Sequence, residues 1–109
     1  MKPLIPMDEY GMFASAKDIA FVDSRLVART FDKNHRDVLR SIDTILSKNS
    51  GYSAEFRQHN FVPASYIDTQ GRMQPCYFMT RDGFTMLVMG FTGSRAAQFK
   101  EFILSVLTR

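Results

Sequence analysis

One stretch of the sequence, YFMTRDGFTMLVMGFTG from Tyr77 to Gly93, decides the architecture of the chain, because two local rules disagree about it. Asp82 and Gly83 between two apolar runs are the strongest short-range signal for a two-residue β-hairpin turn. Thr80, followed by an acidic residue and an apolar face, is instead typical of the start of a helix. The rest of the fold depends on which interpretation is right.

The apolar spacing after the Asp-Gly pair favours the helix. FTMLVMGF does not alternate apolar and polar residues as a half-buried strand does. We therefore expect a strand that ends near Met79 and a helix from about Arg81 to Met89, with Thr80 as its N-cap. The residues at helical i, i+3, i+4 and i+7 spacing are Phe84, Leu87, Val88 and Phe91.

The first half of the chain predicts one strand and two helices. Residues 19–23 form a short β-branched and aromatic run that is typical of a strand, and Ser24 is the expected N-cap of the helix that follows it. After a break at residues 32–34, a second helix runs from about His35 to Lys48, with apolar residues at three- and four-residue spacing. Its inward face is predicted to comprise Val38, Leu39, Ile42, Ile45 and Leu46.

The second half adds a hairpin before the helix near 81–89. Residues 60–68 and 73–79 have strand character and flank a polar tip in which Gly71 can adopt positive φ. Pro63 and Pro75 lack a ladder donor, so both strands are expected to be edge-like or bulged.

Together these elements predict an α+β fold that is winged helix-turn-helix-like, in the order β-α-α-β-β-α-α, with a two-stranded wing hairpin. The last helix is predicted from about Ala96. Residues 1–14 are expected to form an N-terminal arm, and residues 15–109 a single domain, since 109 residues support one core but not two.

The composition excludes several classes of site. The single cysteine, Cys76, cannot form an internal disulfide, and with only two histidines beside it the sequence offers no spaced zinc ligands. We expect Cys76 to be a half-buried strand residue, and we expect no metal and no cofactor. No motif of catalytic spacing is present, so the chain is not expected to be an enzyme. The longest uncharged apolar run, residues 84–91, is too short to cross a bilayer, so no membrane association is expected.

The exposed face of the second predicted helix is the candidate DNA-binding surface. In a winged helix-turn-helix the second helix enters the major groove. Arg36 and Arg40 lie one turn apart near its start, and arginine can donate two hydrogen bonds to guanine. Asn34 or His35 could cap the helix or bind a phosphate. The candidate DNA-binding residues are Lys33, Asn34, His35, Arg36, Arg40, Ser41, Thr44, Gln70 and Arg72, the last two at the hairpin tip.

The same charges also have an ordinary interpretation. The net charge is only +3, and Asp37 and Asp43 could pair with the neighbouring arginines as solvated surface charges of little energetic value. Asp37 would also repel a phosphate. The pattern alone leaves DNA binding and a plain charged surface both open.

Two blocks of the sequence resemble the Rha family of phage regulatory proteins, which occur in temperate phages and prophages. They are SRLVARTFDKNHRDVLRSI at 24–42 and SYIDTQGRMQPCYFMTRDGFTMLVMGFTGSRAAQFKEFI at 65–103, and the likeness extends from about Ala16 to Leu107. The family pattern HxxVLRxI occurs at His35, Val38, Leu39, Arg40 and Ile42. At the turn between the two helices, where the family usually has glycine, this chain has Asp32, which tolerates the left-handed conformation better than most residues.

The resemblance implies a phage- or prophage-encoded, sequence-specific regulator of transcription that binds double-stranded DNA through a winged-helix-like domain in the cytoplasm of a bacterial host. Relatives often continue into a C-terminal region, so the chain is either a trimmed domain or a short variant. The last helix, which ends in FKEFILSVLTR, offers an apolar stripe for a homodimer. The alternative function is an antirepressor-like or host-takeover module that binds a repressor or host protein instead of DNA.

Overall fold

The computed structural model describes residues 12–14 and 20–107, and within them the side chains of residues 21–105. It is an α+β fold, as predicted, with an antiparallel sheet in the order β1-β2-β4-β3. The elements are β1 (Met12–Ala14), β2 (Ala20–Asp23), α1 (Ser24–Thr30), α2 (His35–Leu46), α3 (Ala54–Asn60), β3 (Phe61–Ile67), β4 (Met73–Thr80), α4 (Arg81–Met89) and α5 (Ser94–Leu107).

β3 and β4 form a hairpin with a buried base and an exposed tip. The register runs from Phe61 opposite Met79, which are both buried, to Ile67 opposite Met73, which are both exposed. β2 pairs with only the last residues of β4, from position 78 onwards. The hairpin therefore extends beyond the wider sheet, and Pro75 lies in this extension, where its missing N–H costs β2 no ladder bond.

Two helix starts follow from local capping, one of them not as predicted. The Asn34 side chain accepts from the Arg36 N–H at 3.0 Å and caps α2. α1 is capped by Asp23, which accepts from the Arg25 N–H at 2.8 Å, so the prediction of Ser24 as N-cap is wrong and Ser24 is the first helical residue. A carboxylate one residue earlier is an equally good cap, and the capping rules do not distinguish the two positions.

The turn between α1 and α2 has the predicted left-handed residue. Asp32 has φ of 54°, which is the region that Asp tolerates better than most residues. α2 ends at Leu46 rather than at Lys48, because Ser47 is already in extended conformation.

The Asp-Gly pair of the opening stretch lies inside a helix, as predicted. Thr80 caps α4 by accepting from the Gly83 N–H at 3.2 Å, and the Thr80 hydroxyl donates to the Asn60 side chain at the end of α3. Gly83 is required by packing and not by a turn: a Cβ at this position would lie 2.5 Å from the Asn60 carbonyl oxygen. The close contact between α3 and α4 therefore explains this glycine.

A cluster of aromatic rings joins α1, α4 and α5 in the core. Phe31 at the end of α1 lies 6.1 Å from the ring centroid of Phe84, 5.9 Å from that of Phe91 and 6.0 Å from that of Phe99. Such edge-to-face and tilted pairs stabilise a core beyond the area that they bury. The cluster fixes the end of α1, and with it the turn that leads into α2.

Two elements are absent from the predicted order, namely β1 and α3. β1 lies at the end of the predicted arm, most of which is outside the described residues. α3 has seven residues and none is buried, so it has no apolar stripe to reveal it. Its available signals were the Ser53 cap, which accepts from the Phe56 N–H, and the acidic start and basic end of the segment.

Cys76 and the lengths of the helices bear on the predictions made from composition. Cys76 is 2% exposed, so it is fully buried and not half-buried. Burial raises the pKa of its thiol, which keeps it protonated and unreactive at neutral pH. No helix among the described residues is long and apolar enough to span a membrane.

Gly83→Ala is expected to lower the free energy of unfolding by about 1–3 kcal/mol, because the added methyl group must displace the α3 backbone. Gly90→Ala is the matched control: Gly90 has φ of −86°, and a Cβ there would meet the Leu87 oxygen at an ordinary 3.5 Å. It should be neutral or stabilising by roughly 0.4–1 kcal/mol. Urea unfolding followed by circular dichroism measures both, and equal stability of the two variants would contradict the packing role.

Candidate nucleic-acid interface

The buried hydroxyl of Ser24 joins the start of α2 to the hairpin. Ser24 is 0% exposed, and its Oγ accepts from the Tyr77 N–H of β4 at 3.0 Å. The same Oγ lies 2.9 Å from His35 Nε2 at the first position of α2. A hydroxyl can accept one hydrogen bond while it donates its own proton to a neutral imidazole. Ser24 therefore continues the β2–β4 ladder by one bond and holds α2 against it.

A second set of contacts binds the middle of the hairpin to the same place. The Tyr66 ring of β3 has the Arg25 guanidinium 4.2 Å from its centroid and the His35 ring 6.2 Å away. Arg25 is held in turn by Asp23, with Arg25 Nη2 2.6 Å from Asp23 Oδ2. Stacking of arginine on an aromatic face is favourable, most of all where water is partly excluded. The start of α2 and the hairpin thus form one packed unit.

The titration of two groups reflects this packing. Burial alone would raise the pKa of Asp23, but the hydrogen bonds and charge of Arg25 outweigh it, and the pKa lies below its ordinary value. Burial lowers the pKa of His35, and the nearby Arg25 charge lowers it further, while Asp23 opposes both. The folded protein therefore favours a neutral His35 ring.

The outer face of α2 carries the predicted arginines. Arg36 and Arg40 are both exposed, and Thr44 lies on the same face with its hydroxyl donating to the Arg40 carbonyl at 3.0 Å. Arg40 Nη1 lies 3.4 Å from Asp37 Oδ1, in a pair whose side chains are 72% and 61% exposed. Such a pair contributes little stability. Arg36 forms no ion pair with any residue in the described part of the chain.

Other predicted residues are differently placed. The Asn34 side chain caps α2, and His35 is half-buried in the junction with Ser24. Lys33 Nζ lies 4.8 Å from the Phe91 ring centroid, so this side chain is directed toward the α4–α5 loop. Ser41 is half-buried at the edge of a groove of about 320 Å³ between α2 and α4.

The hairpin tip is organised by Asp68. Its Oδ1 accepts from the Gln70 and Arg72 N–H groups, both at 2.9 Å, and its Oδ2 accepts from the Gln74 side chain at 3.0 Å. The hydrogen bond from the Arg72 N–H holds the pKa of Asp68 below its ordinary value. Gln70 and Arg72 are exposed at this ordered tip, with Arg72 Nε 3.6 Å from Asp68 Oδ2.

The structure joins the first residue of α2 to the hairpin that carries Gln70 and Arg72. The register places the tip beyond Tyr66, on the side away from the core, and Tyr66 touches the first residue of α2. The helix that carries Arg36 and Arg40 and the hairpin that carries Gln70 and Arg72 therefore meet at this junction. Their separation in sequence gave no sign of this.

Comparison with known proteins identifies the family. Residues 22–105 match the sequence model described as Phage regulatory protein Rha. The chain belongs to the Rha family of phage regulatory proteins. This Rha-family chain matches no solved structure.

Three curated proteins are similar to this Rha-family chain. An uncharacterized protein of Haemophilus influenzae is 42% identical over 74% of the chain and 46% of the relative. An uncharacterized 22.8 kDa protein from the gp15-gp3 intergenic region of Salmonella phage P22 is 36% identical over 83% of the chain and 44% of the relative. The SPbeta prophage-derived putative antirepressor protein YoqD of Bacillus subtilis is 34% identical over 85% of the chain and 37% of the relative. The chain spans less than half the length of these relatives.

Reasoning from the sequence missed the residues that build the junction, namely Ser24, Arg25, Tyr66 and Tyr77 as partners. The sequence predicts a cap at Ser24 and gives Tyr66 only the place of a strand residue. No local rule links Arg25 to Tyr66, 41 residues away, or Ser24 to Tyr77, 53 residues away, so only the fold reveals these contacts. The family block around Tyr66 was the available hint.

The stability of this Rha-family chain should fall as the pH drops through the ordinary histidine pKa of 6.5, because the folded state disfavours the charged His35 ring while the unfolded chain takes up the proton. The stability that the neutral His35 ring contributes is fully present above pH 6.5. It is lost as the pH falls toward the lower pKa that His35 has in the folded protein. Urea unfolding at a series of pH values above about 5 avoids the carboxylates, whose titration lies lower.

His35→Gln should flatten this pH dependence. His59→Gln, at an exposed position of α3, is the matched control and should leave it unchanged. A wild-type slope in the His35→Gln protein would show that the junction does not disfavour the charged ring.

Proposed function

We propose that this protein is a DNA-binding transcriptional regulator of a phage or prophage, which acts without catalysis in the cytoplasm of the bacterial host. α2 enters the major groove of double-stranded DNA, as the second helix of a helix-turn-helix does, and the β3–β4 hairpin acts as a wing. The observation that carries the proposal is the junction at Ser24, which holds the start of α2 against the β3–β4 hairpin.

The dimensions and turn of the helix pair support this docking. α2 has 12 residues, so it is about 18 Å long and can lie in a groove about 12 Å wide. It follows α1 after a short turn with a left-handed residue at Asp32. The N-terminal residues of a recognition helix make its base contacts, and here Arg36 lies in the first turn.

The nine candidate residues divide into roles in this proposal. Arg36 and Arg40 contact base edges, and Ser41 and Thr44 lie farther along the same helix. Asn34 and His35 position the helix start, and Lys33 is the least favoured because its ammonium group lies against Phe91. Gln70 and Arg72 contact the DNA from the hairpin tip.

Dimerisation is part of the proposal, since one such domain covers only a short half-site. Most of the apolar stripe of α5 packs inside the protein: Phe99 and Ile103 are buried, and Phe102 packs against the core. Leu104 is 58% exposed and remains available to a second copy. A dimer of this kind predicts two inverted half-sites in the bound DNA.

A second candidate function is supported by one relative. The Bacillus subtilis protein carries the name of an antirepressor, and a module of this kind would bind a repressor protein through the same end of the molecule. The balance of charges on α2, where Asp37 offsets Arg40, is compatible with a protein partner. Stable capture of a phage repressor, without DNA affinity at low salt, would favour this function.

Arg36→Ala combined with Arg40→Ala should reduce affinity for bound phage DNA at least about tenfold, because each arginine that contacts a base contributes roughly 1–3 kcal/mol. Lys48→Ala is the matched control: Lys48 is exposed beyond the far end of α2, and its loss should change affinity little. Fragments are first selected from phage genomic DNA, and affinity is measured by fluorescence anisotropy at several salt concentrations.

The same titrations measure how much the charges of Arg36 and Arg40 contribute to DNA affinity, since each lost phosphate contact reduces the salt dependence of binding. Equal losses for the double variant and Lys48→Ala would indicate nonspecific attraction. Absence of binding at about 50 mM salt on every fragment would contradict the proposed function.

A further inference from the structure

Two large apolar side chains are exposed at the hairpin tip, where the fold does not use them. Ile67 is 61% exposed and Met73 is 67% exposed, and they are cross-strand partners in the last pair of the hairpin. They are the two most exposed large hydrophobic residues in the described part of the chain. Directly opposite residues have Cβ atoms about 4.5–5.5 Å apart, so the two side chains form a single apolar unit.

The tip that carries this pair is ordered by its own hydrogen bonds. Asp68, next to Ile67, binds the backbone at Gln70 and Arg72 and the side chain of Gln74. The Asp68 carboxylate is thereby engaged within the tip, with the Arg72 guanidinium beside it. The apolar pair therefore lies on a hydrogen-bonded tip, and the exposed residues beside it include Gln70 and Arg72.

The pair also has a fixed position relative to α2. Tyr66 and Gln74 form the adjacent cross-strand pair, and Tyr66 contacts His35 at the start of α2. A strand rises about 3.3 Å per residue, so the apolar pair lies one such step beyond this contact, on the solvent side. In the proposed docking, with α2 in a major groove, the tip reaches the neighbouring minor groove.

We propose that Ile67 and Met73 act as an apolar wedge that enters the minor groove of double-stranded DNA, partly unstacks one base step and bends the duplex. The inference rests on the proposed function and adds a deformation of the DNA to it. Proteins that insert Ile, Leu or Met in this way kink the duplex toward the major groove, and Arg and Gln beside the wedge read the groove. The minor groove is about 6 Å wide, which admits a pair of side chains but not a helix.

The chemistry of the tip favours DNA, and not an apolar protein surface, as the binding partner of Ile67 and Met73. The wedge is small and is flanked by an arginine and a glutamine, which match phosphate and the acceptor groups of the minor-groove floor. An unstacked base step supplies the apolar surface that Ile67 and Met73 would bury. Flexible pyrimidine–purine steps, which unstack most readily, should therefore be found at the position of the wedge.

The test uses the full chain and a fragment that it binds, labelled at both ends for energy transfer and carrying 2-aminopurine at the candidate step. Binding of the wild-type protein should bend the fragment by about 20–90° and raise the 2-aminopurine fluorescence. Ile67→Thr combined with Met73→Thr keeps strand-forming residues at both positions. It should remove at least half of the bend and most of the fluorescence increase.

Val62→Thr is the matched control, since Val62 is 48% exposed on β3 near the base of the hairpin and is not at the tip. It should leave bend and fluorescence at wild-type values. A straight fragment in the wild-type complex, or a bend retained in the double variant, would overturn the wedge while DNA binding stands. Failure of the wild-type protein to bind any fragment would overturn the proposed function first, and the two results are therefore distinguishable.

Discussion

The hydroxyl group of Ser24 is the contact on which the junction of α2 and the hairpin depends. It lies where β2 becomes α1, it accepts from the Tyr77 N–H, and it touches His35 at the first residue of α2. Ser24 itself is fully buried, with 0% of its surface exposed. A buried polar group left without its partner costs about 1–3 kcal/mol, so the three elements are strongly held in one arrangement. The orientation of the hairpin relative to α2 follows from this contact and from the Tyr66 contacts beside it.

The rest of the core fixes the elements that form this junction. The aromatic cluster around Phe31 fixes the end of α1, and the contact between Asn60 and Gly83 fixes the base of the hairpin against α4. The exposed charges of α2 and the apolar pair at the tip take no part in this core. A modest net charge of +3 is consistent with a partner recognised by shape and a few contacts more than by general attraction.

Much of the fold could be predicted because its signals are local. Thr80 and Asn34 are caps with a short-range mechanism, and Asp32 is a left-handed turn residue by its own preference. The apolar spacing after the Asp-Gly pair also predicts correctly that the pair lies in a helix and not in a turn. α3 could not be predicted, because a seven-residue helix with no buried side chain leaves no periodic pattern. Only part of the candidate site could be predicted. Helical spacing within one segment predicts the exposed face of α2, whereas the contacts of Ser24, His35 and Tyr66 join positions that are distant in the sequence.

The measurement that tests the proposed arrangement of α2 and the hairpin on DNA most directly is a chemical footprint of the protein on a selected phage fragment. Dimethyl sulfate methylates guanine N7 in the major groove and adenine N3 in the minor groove, so one reagent reports on both grooves. With α2 in one groove and the tip in the next, protection of N7 and of N3 should be centred about 5 base pairs apart, half of the 10–10.5 base-pair turn. Protection of N7 alone, or of neither atom, would contradict the account.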